Sequence, residues 1–135
     1  MEREQLVKKA LEAKDNAYAP YSGFKVGAAV LTSEGKVYTG CNVENASYGA
    51  AICAERTAIV KAVSDGKADI TAIAVASNSG DYTFPCGICR QVMAEFLHEE
   101  ASVICSSKSG EYKVYKFKEL LPEAFTKKSF FPEQA

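Results

Sequence analysis

Tryptophan is absent from this chain and histidine occurs once, at His98. The single imidazole sits beside Glu99 and Glu100 at the expected end of a helix, where polar side chains are ordinary solvated termini. Triads built on histidine therefore have no candidate, and any catalytic metal has to be held mainly by sulfur. No apolar run approaches membrane-spanning length. The start, Met1-Glu2-Arg3-Glu4-Gln5, is charged where an export signal would be apolar. A soluble, cytoplasmic protein without membrane attachment is expected. Charge of one sign is also missing: the formal net charge is -1, and no block of Lys or Arg makes a nucleic-acid footprint. A small molecule suits this chain better than a polyanion. Five cysteines, an odd number in an expected reducing compartment, argue against a disulfide framework and leave metal binding or burial.

What is present fits one domain over residues 1–135, long enough for a real core and too short for two ordinary domains. Apolar residues from Leu6 to Tyr18 recur at near-helical spacing until Pro20 stops them. Phe24–Leu31 and Lys36–Val43 read as a hairpin around Ser33-Glu34-Gly35-Lys36. The polar stretch Asn42–Gly49 reads as a loop leaving the sheet. A helix is expected over Cys53–Val63, an interior strand over Ile70–Ser77 and a helix over Cys86–Leu97. Two strands, Ser102–Ser106 and Tyr112–Lys116, follow, and then a short helix over Lys118–Phe125 interrupted by Pro122. This order predicts an α/β fold of three layers, α/β/α, around a mixed five-stranded sheet, with its strand order open.

Two short blocks carry the chemistry. Cys86 and Cys89 are three apart, so on a helix they share one face and one ion, and Pro85 suits a helix start. Cys53 as a third ligand leaves one tetrahedral position open for water, the mark of a catalytic zinc in contrast to a closed structural one. Cys41 and Cys105 fall in expected strands and read as buried apolar residues. Glu55 lies two positions after Cys53, and such side chains diverge in a regular helix. Their convergence requires Cys53-Ala54-Glu55 to straddle a loop-to-helix junction. Both blocks then place helix starts beside thiolates. Three thiolates on one Zn²⁺ leave excess negative charge, which Arg56 would offset, aligned by Gln91.

Cys53-x-Glu55 followed by Pro85-Cys86-x-x-Cys89 is the all-cysteine form of the zinc deaminase signature. With Tyr18-Ala19-Pro20-Tyr21-Ser22, Phe24-Lys25-Val26-Gly27-Ala28-Ala29, Gly40-Cys41-Asn42-Val43-Glu44-Asn45-Ala46-Ser47-Tyr48 and Leu120-Leu121-Pro122, the chain resembles the small cytidine deaminases. It is most similar to the homotetrameric bacterial type with three cysteine ligands. The resemblance implies Zn²⁺ on Cys53, Cys86 and Cys89, with Glu55 moving protons between the attacking water, ring N3 and the departing amino group. It implies Asn42 and Glu44 on the ribose hydroxyls, Phe24 and Ala54 against the nucleoside, and Tyr48 and Phe125 completing a neighbouring subunit's pocket. Ala50-Ala51-Ile52 and the tail after Phe125, with Phe130-Phe131-Pro132, depart from the pattern. Rival readings are deamination of another cytosine compound of the blasticidin type, editing of cytosine in a strand, and a structural zinc in a binding module. The Asn42-x-Glu44 pair favours a nucleoside, the neutral charge disfavours a strand, and a carboxylate beside an open position disfavours a structural metal.

Overall fold

The computed structural model describes residues 1–131, so Pro132 lies outside the described residues. Its elements are α1 (Arg3–Lys14), β1 (Val26–Thr32), β2 (Val37–Cys41), α2 (Ala54–Ser64), β3 (Ile70–Ser77), α3 (Gly87–Phe96), β4 (Leu97–Ser106), β5 (Tyr112–Lys116) and α4 (Phe117–Leu120). Short 3₁₀ turns lie at Tyr48–Ala50 and Lys127–Ser129. The sheet order is β2-β1-β3-β4-β5. Three pairs are antiparallel and β3 with β4 is parallel. A parallel pair needs a crossover, and α3 supplies it.

Alternation along the central strands sends successive side chains to opposite layers. Ala29, Ala74, Ala76 and Ile104 pack under Leu6, Val7 and Ala10 of α1. Val26, Ala28, Val30, Ile73, Val75, Val103 and Cys105 face Ala58, Ile59 and Ala62 of α2 and Cys89 and Met93 of α3. The expected three-layer α/β/α fold with a mixed five-stranded sheet is the architecture found.

Both helix layers approach the sheet through glycine. A Cβ on Gly27 would lie 2.0 Å from the Ala10 carbonyl oxygen of α1, and one on Gly40 would lie 2.5 Å from the Ala58 nitrogen of α2. Gly40 thus lets the α2 backbone, whose start carries Cys53 and Glu55, rest on β2. Gly40→Ala is expected to cost about 1–3 kcal/mol, the usual penalty of overpacking against atoms that cannot yield. A urea-denaturation midpoint equal to the parent's would contradict that close approach.

The element ends differ from expectation for local reasons. Helix α1 stops at Lys14, because Tyr18 leaves to pair with the segment beyond β2: its N–H donates to the Asn42 carbonyl at 3.0 Å, and its carbonyl accepts from the Glu44 N–H at 2.8 Å. Strand β1 begins at Val26, since the Phe24 and Lys25 N–H groups donate to the Ser22 and Asn78 side chains. Helix α3 passes straight into β4 at Leu97, which is buried and registers with Ile70. His98 therefore lies on an extended strand, not at a helix end, with Nε2 3.3 Å from Asp69 Oδ1. Helix α4 ends at Leu120 rather than reaching Phe125, because Pro122 bars helical backbone at Leu121, which sits at φ -149 and ψ 70.

Candidate active site

Cys53 and Cys86 are the extended residues immediately before α2 and α3, with φ, ψ of -77, 155 and -71, 170. Each thiol thus stands at a helix start, where unpaired N–H groups and the dipole favour negative charge. Cys89 lies in the first turn of α3, buried. The Sγ atoms of Cys53, Cys86 and Cys89 all fall within 4.8 Å of one another, and those of Cys53 and Cys86 are 3.8 Å apart. Three thiols so grouped, drawn from two helix starts, suit a soft tetrahedral cation with a position to spare, which is the requirement of a catalytic Zn²⁺.

Cys53, being extended, turns its side chain out of the helical progression. Glu55, already helical, can then share the site despite the two-residue spacing. The Glu55 side chain is buried, with only 4% of the residue exposed. Burial pushes its carboxyl up to about 7, opposed by its own backbone N–H and helped by the neighbouring Cys53 charge. Cys53 is held down to about 5, chiefly by a hydrogen bond from Cys89, with Arg56 and Cys86 adding to it. Cys89 is pushed up by that same hydrogen bond and by burial. Arg56 Nη2 reaches Cys53 Sγ at 3.5 Å, and its buried Nε has no partner among the described residues. Its guanidinium faces the thiols it was expected to offset.

Gln91 makes no hydrogen bond to Arg56 among the described residues. Its Nε2 donates to the Phe125 carbonyl oxygen at 2.8 Å, which draws the C-terminal segment onto α3. Asn42 and Glu44 are both engaged by the loop before β1. Asn42 Oδ1 accepts from the Val26 N–H at 2.9 Å while Nδ2 donates to the Phe24 carbonyl at 2.8 Å. Glu44 Oε1 accepts from the Tyr21 and Ser22 N–H groups, and Oε2 takes the Ser22 hydroxyl at 2.5 Å. These bonds hold the Glu44 carboxyl below the ordinary carboxylate range, the Ser22 hydroxyl first among them. Ala54 is fully buried at the start of α2. Phe24, Tyr48 and Phe125 are exposed, at 45%, 80% and 61%. Tyr48 meets Tyr21 edge-on and Phe125 meets Phe130. A separate cleft of about 460 Å³, lined by Tyr38, Val60, Lys61, Ser64 and Asp65, holds none of these groups.

Cys105 is buried and its thiol is pushed up to about 12, first by burial, while Cys41 is half-buried on β2. Neither joins the trio. Arg90 and Ser22 were not singled out by sequence reasoning, although both bind backbone beside the site. Arg90 did leave a signal: a cation early in a helix opposes the dipole and calls for specific acceptors.

Residues 1–106 match a family model described as the cytidine and deoxycytidylate deaminase zinc-binding region. The chain is 48% identical over 126 residues to a cytidine deaminase of Halalkalibacterium halodurans, covering 93% of this chain and 96% of that protein. It is 43% identical over 136 residues to a cytidine deaminase of Sporosarcina psychrophila, covering 99% and 100%. The crystal structure of a cytidine deaminase from Burkholderia pseudomallei superposes with a TM-score of 0.89 at 46% identity, over 93% of this chain and 100% of that one. The four-helix, five-stranded arrangement described above is shared with that structure.

Proposed function

The chain belongs to the family of zinc-dependent cytidine and deoxycytidylate deaminases, and from that premise we propose that it converts cytidine and 2'-deoxycytidine, with one water, to uridine and 2'-deoxyuridine and ammonia. The observation that carries this reading is the convergence of a buried carboxyl, held near 7, on three clustered thiols at two helix starts.

Cys53, Cys86 and Cys89 would hold Zn²⁺, which when bound would supply the Lewis acidity that makes water nucleophilic at neutral pH. Glu55 takes a proton from the attacking water, delivers one to ring N3 and then serves the departing amino group at C4. A carboxyl held near neutrality suits a group that must both accept and return a proton. Arg56 offsets thiolate charge from 3.5 Å, and the two helix starts do the same through their N–H groups. Gln91 Nε2 donates to the Phe125 carbonyl, and its Oε1 stays available as an acceptor for Arg56.

Asn42 and Glu44 receive the ribose hydroxyls. Asn42 retains one amide proton, and Glu44 retains acceptor capacity, beyond the bonds that pin each side chain. Pinning costs them no freedom on binding, which favours recognition by preorganised groups. Phe24 flanks the base, with Ala54 below it. Tyr48 and Phe125, exposed on their own chain, complete the pocket of a neighbouring subunit in a homotetramer working in the cytoplasm.

The test is ammonia release from cytidine, deoxycytidine, cytosine and CMP by the purified, zinc-loaded protein. Both nucleosides are expected to turn over, with free cytosine far slower because it offers Asn42 and Glu44 no hydroxyls. No ammonia from either nucleoside would end this reading; equal rates for cytosine and cytidine would remove Asn42 and Glu44 from it.

A further inference from the structure

Arg90 and Gln91 are consecutive residues of α3, directly after Cys89, and both spend their side chains on backbone carbonyls of other segments. Arg90 Nε donates to the Pro85 carbonyl at 2.8 Å, and Nη1 donates to the Leu120 carbonyl at 2.8 Å. Gln91 Nε2 donates to the Phe125 carbonyl at 2.8 Å. The Arg90 backbone N–H also closes the first turn of α3 on the Cys86 carbonyl at 2.9 Å. One residue therefore grips two consecutive carbonyls, those of Pro85 and Cys86, which flank the Cys86 backbone on either side.

The other ends of these bonds share a logic. Leu120 closes α4, so its carbonyl has no helical partner and takes a cation well. Leu120 and Phe125 bound a short segment interrupted by Pro122, which has left helical geometry. Phe125 is 61% exposed, so core packing does not fix it. Leu120 and Leu121 pack against the core at the start of the segment, and a side-chain bond reaches each of its ends, both from the turn that follows Cys89.

We propose that Arg90 is a positioning residue that ties the turn presenting Cys86 to the segment presenting Phe125, with Gln91 as the second tie. The Phe125 half of this rests on the functional reading above; the Cys86 half stands on the metal site alone. A planar guanidinium can hold two carbonyls in fixed relation, and a lysine ammonium, a single point, cannot reproduce both. Arg90 thereby makes the placement of a metal ligand and the placement of an aromatic group for a pocket depend on one side chain.

The experiment uses the full-length, zinc-loaded protein and its Arg90→Met, Arg90→Lys and Gln91→Glu variants. Two quantities are read: the rate of zinc release to a coloured chelator, and kcat and KM for cytidine. Gln91→Glu, which sets an acceptor against the Phe125 carbonyl, is expected to raise KM with zinc release unchanged. Arg90→Met is expected to raise KM and to speed zinc release by about 10–100-fold, as loss of groups behind metal ligands does. Arg90→Lys should fall between, keeping one of the two bonds. Parental KM and parental zinc release in Arg90→Lys and Gln91→Glu would overturn the proposal even if Arg90→Met does not fold. A lower melting temperature in Arg90→Met with KM and zinc release unchanged would also overturn it, leaving Arg90 a role in stability alone. If the parent itself releases no ammonia from cytidine, the functional reading fails, and zinc release still decides the tie to Cys86.

Discussion

Glu55→Gln is expected to keep zinc and the fold while losing about 10²–10⁴-fold in kcat, the range that a positioned proton-transfer group contributes. The substitution is nearly isosteric, so the buried site is not emptied, and it removes only the capacity to take and return a proton. The pH behaviour sharpens the expectation. Burial pushes the Glu55 carboxyl up, so acidification protonates the parent's base and its rate falls on the acid side. The residual rate of the variant lacks that limb. Stability gives an independent sign. In the metal-free protein the folded carboxyl, raised from 4.5 to about 7, binds its proton more tightly than the unfolded one. Its contribution to stability is present below 4.5 and lost as pH rises through 7. Glu55→Gln removes this loss, so its unfolding midpoint should decline less between those pH values. A near-normal kcat in a folded, zinc-bearing variant would take Glu55 out of the chemistry.

Cys89→Ala is expected to strip the protein of zinc and reduce activity by more than about 10²-fold, beyond what loss of an outer partner costs. The thiol is buried and is the hydrogen-bond partner that holds Cys53 down to about 5, so its removal affects two of the three donors. Two remaining thiols make a poor tetrahedral site, and binding energy that would stabilise the fold is lost with the metal. Metal content by atomic absorption and ammonia release from cytidine read the two effects together. Cys105→Ala is the matched control: that thiol is equally buried, is pushed up to about 12 and stays neutral outside the trio. It should keep its zinc. Full zinc in Cys89→Ala, or equal loss in both variants, would contradict the assignment of the ligand set.

Much of this protein was legible in its residues because the signals are local. Periodicity separates helices from strands within a few positions, so α2, β3, α3 and β5 fall close to where the pattern puts them. The spacing Cys53-x-Glu55 requires a junction, since a regular helix would part the two side chains, and Cys53 is indeed extended where α2 begins. The pair Cys86-x-x-Cys89 needs only one helical turn to bring its sulfurs together. Composition adds the exclusions, because a chain with one histidine and balanced charge has few other ways to do chemistry.

Tertiary structure decided what depends on contacts between distant segments. The order β2-β1-β3-β4-β5 rests on which edges meet, and no residue pattern within a strand carries that choice. Tyr18 abandons the helical spacing of α1 because Asn42 and Glu44, far along the chain, offer it backbone partners. Nothing in the residues around Gln91 names an acceptor for its Nε2, and only the return of the chain after α4 supplies the Phe125 carbonyl. Gly27 and Gly40 look like ordinary strand glycines until two helices press on them. Ligand identity and spacing are properties of neighbours in the chain, and the sequence alone determined them; closeness between remote groups belongs to packing, which is why the fold had to supply it.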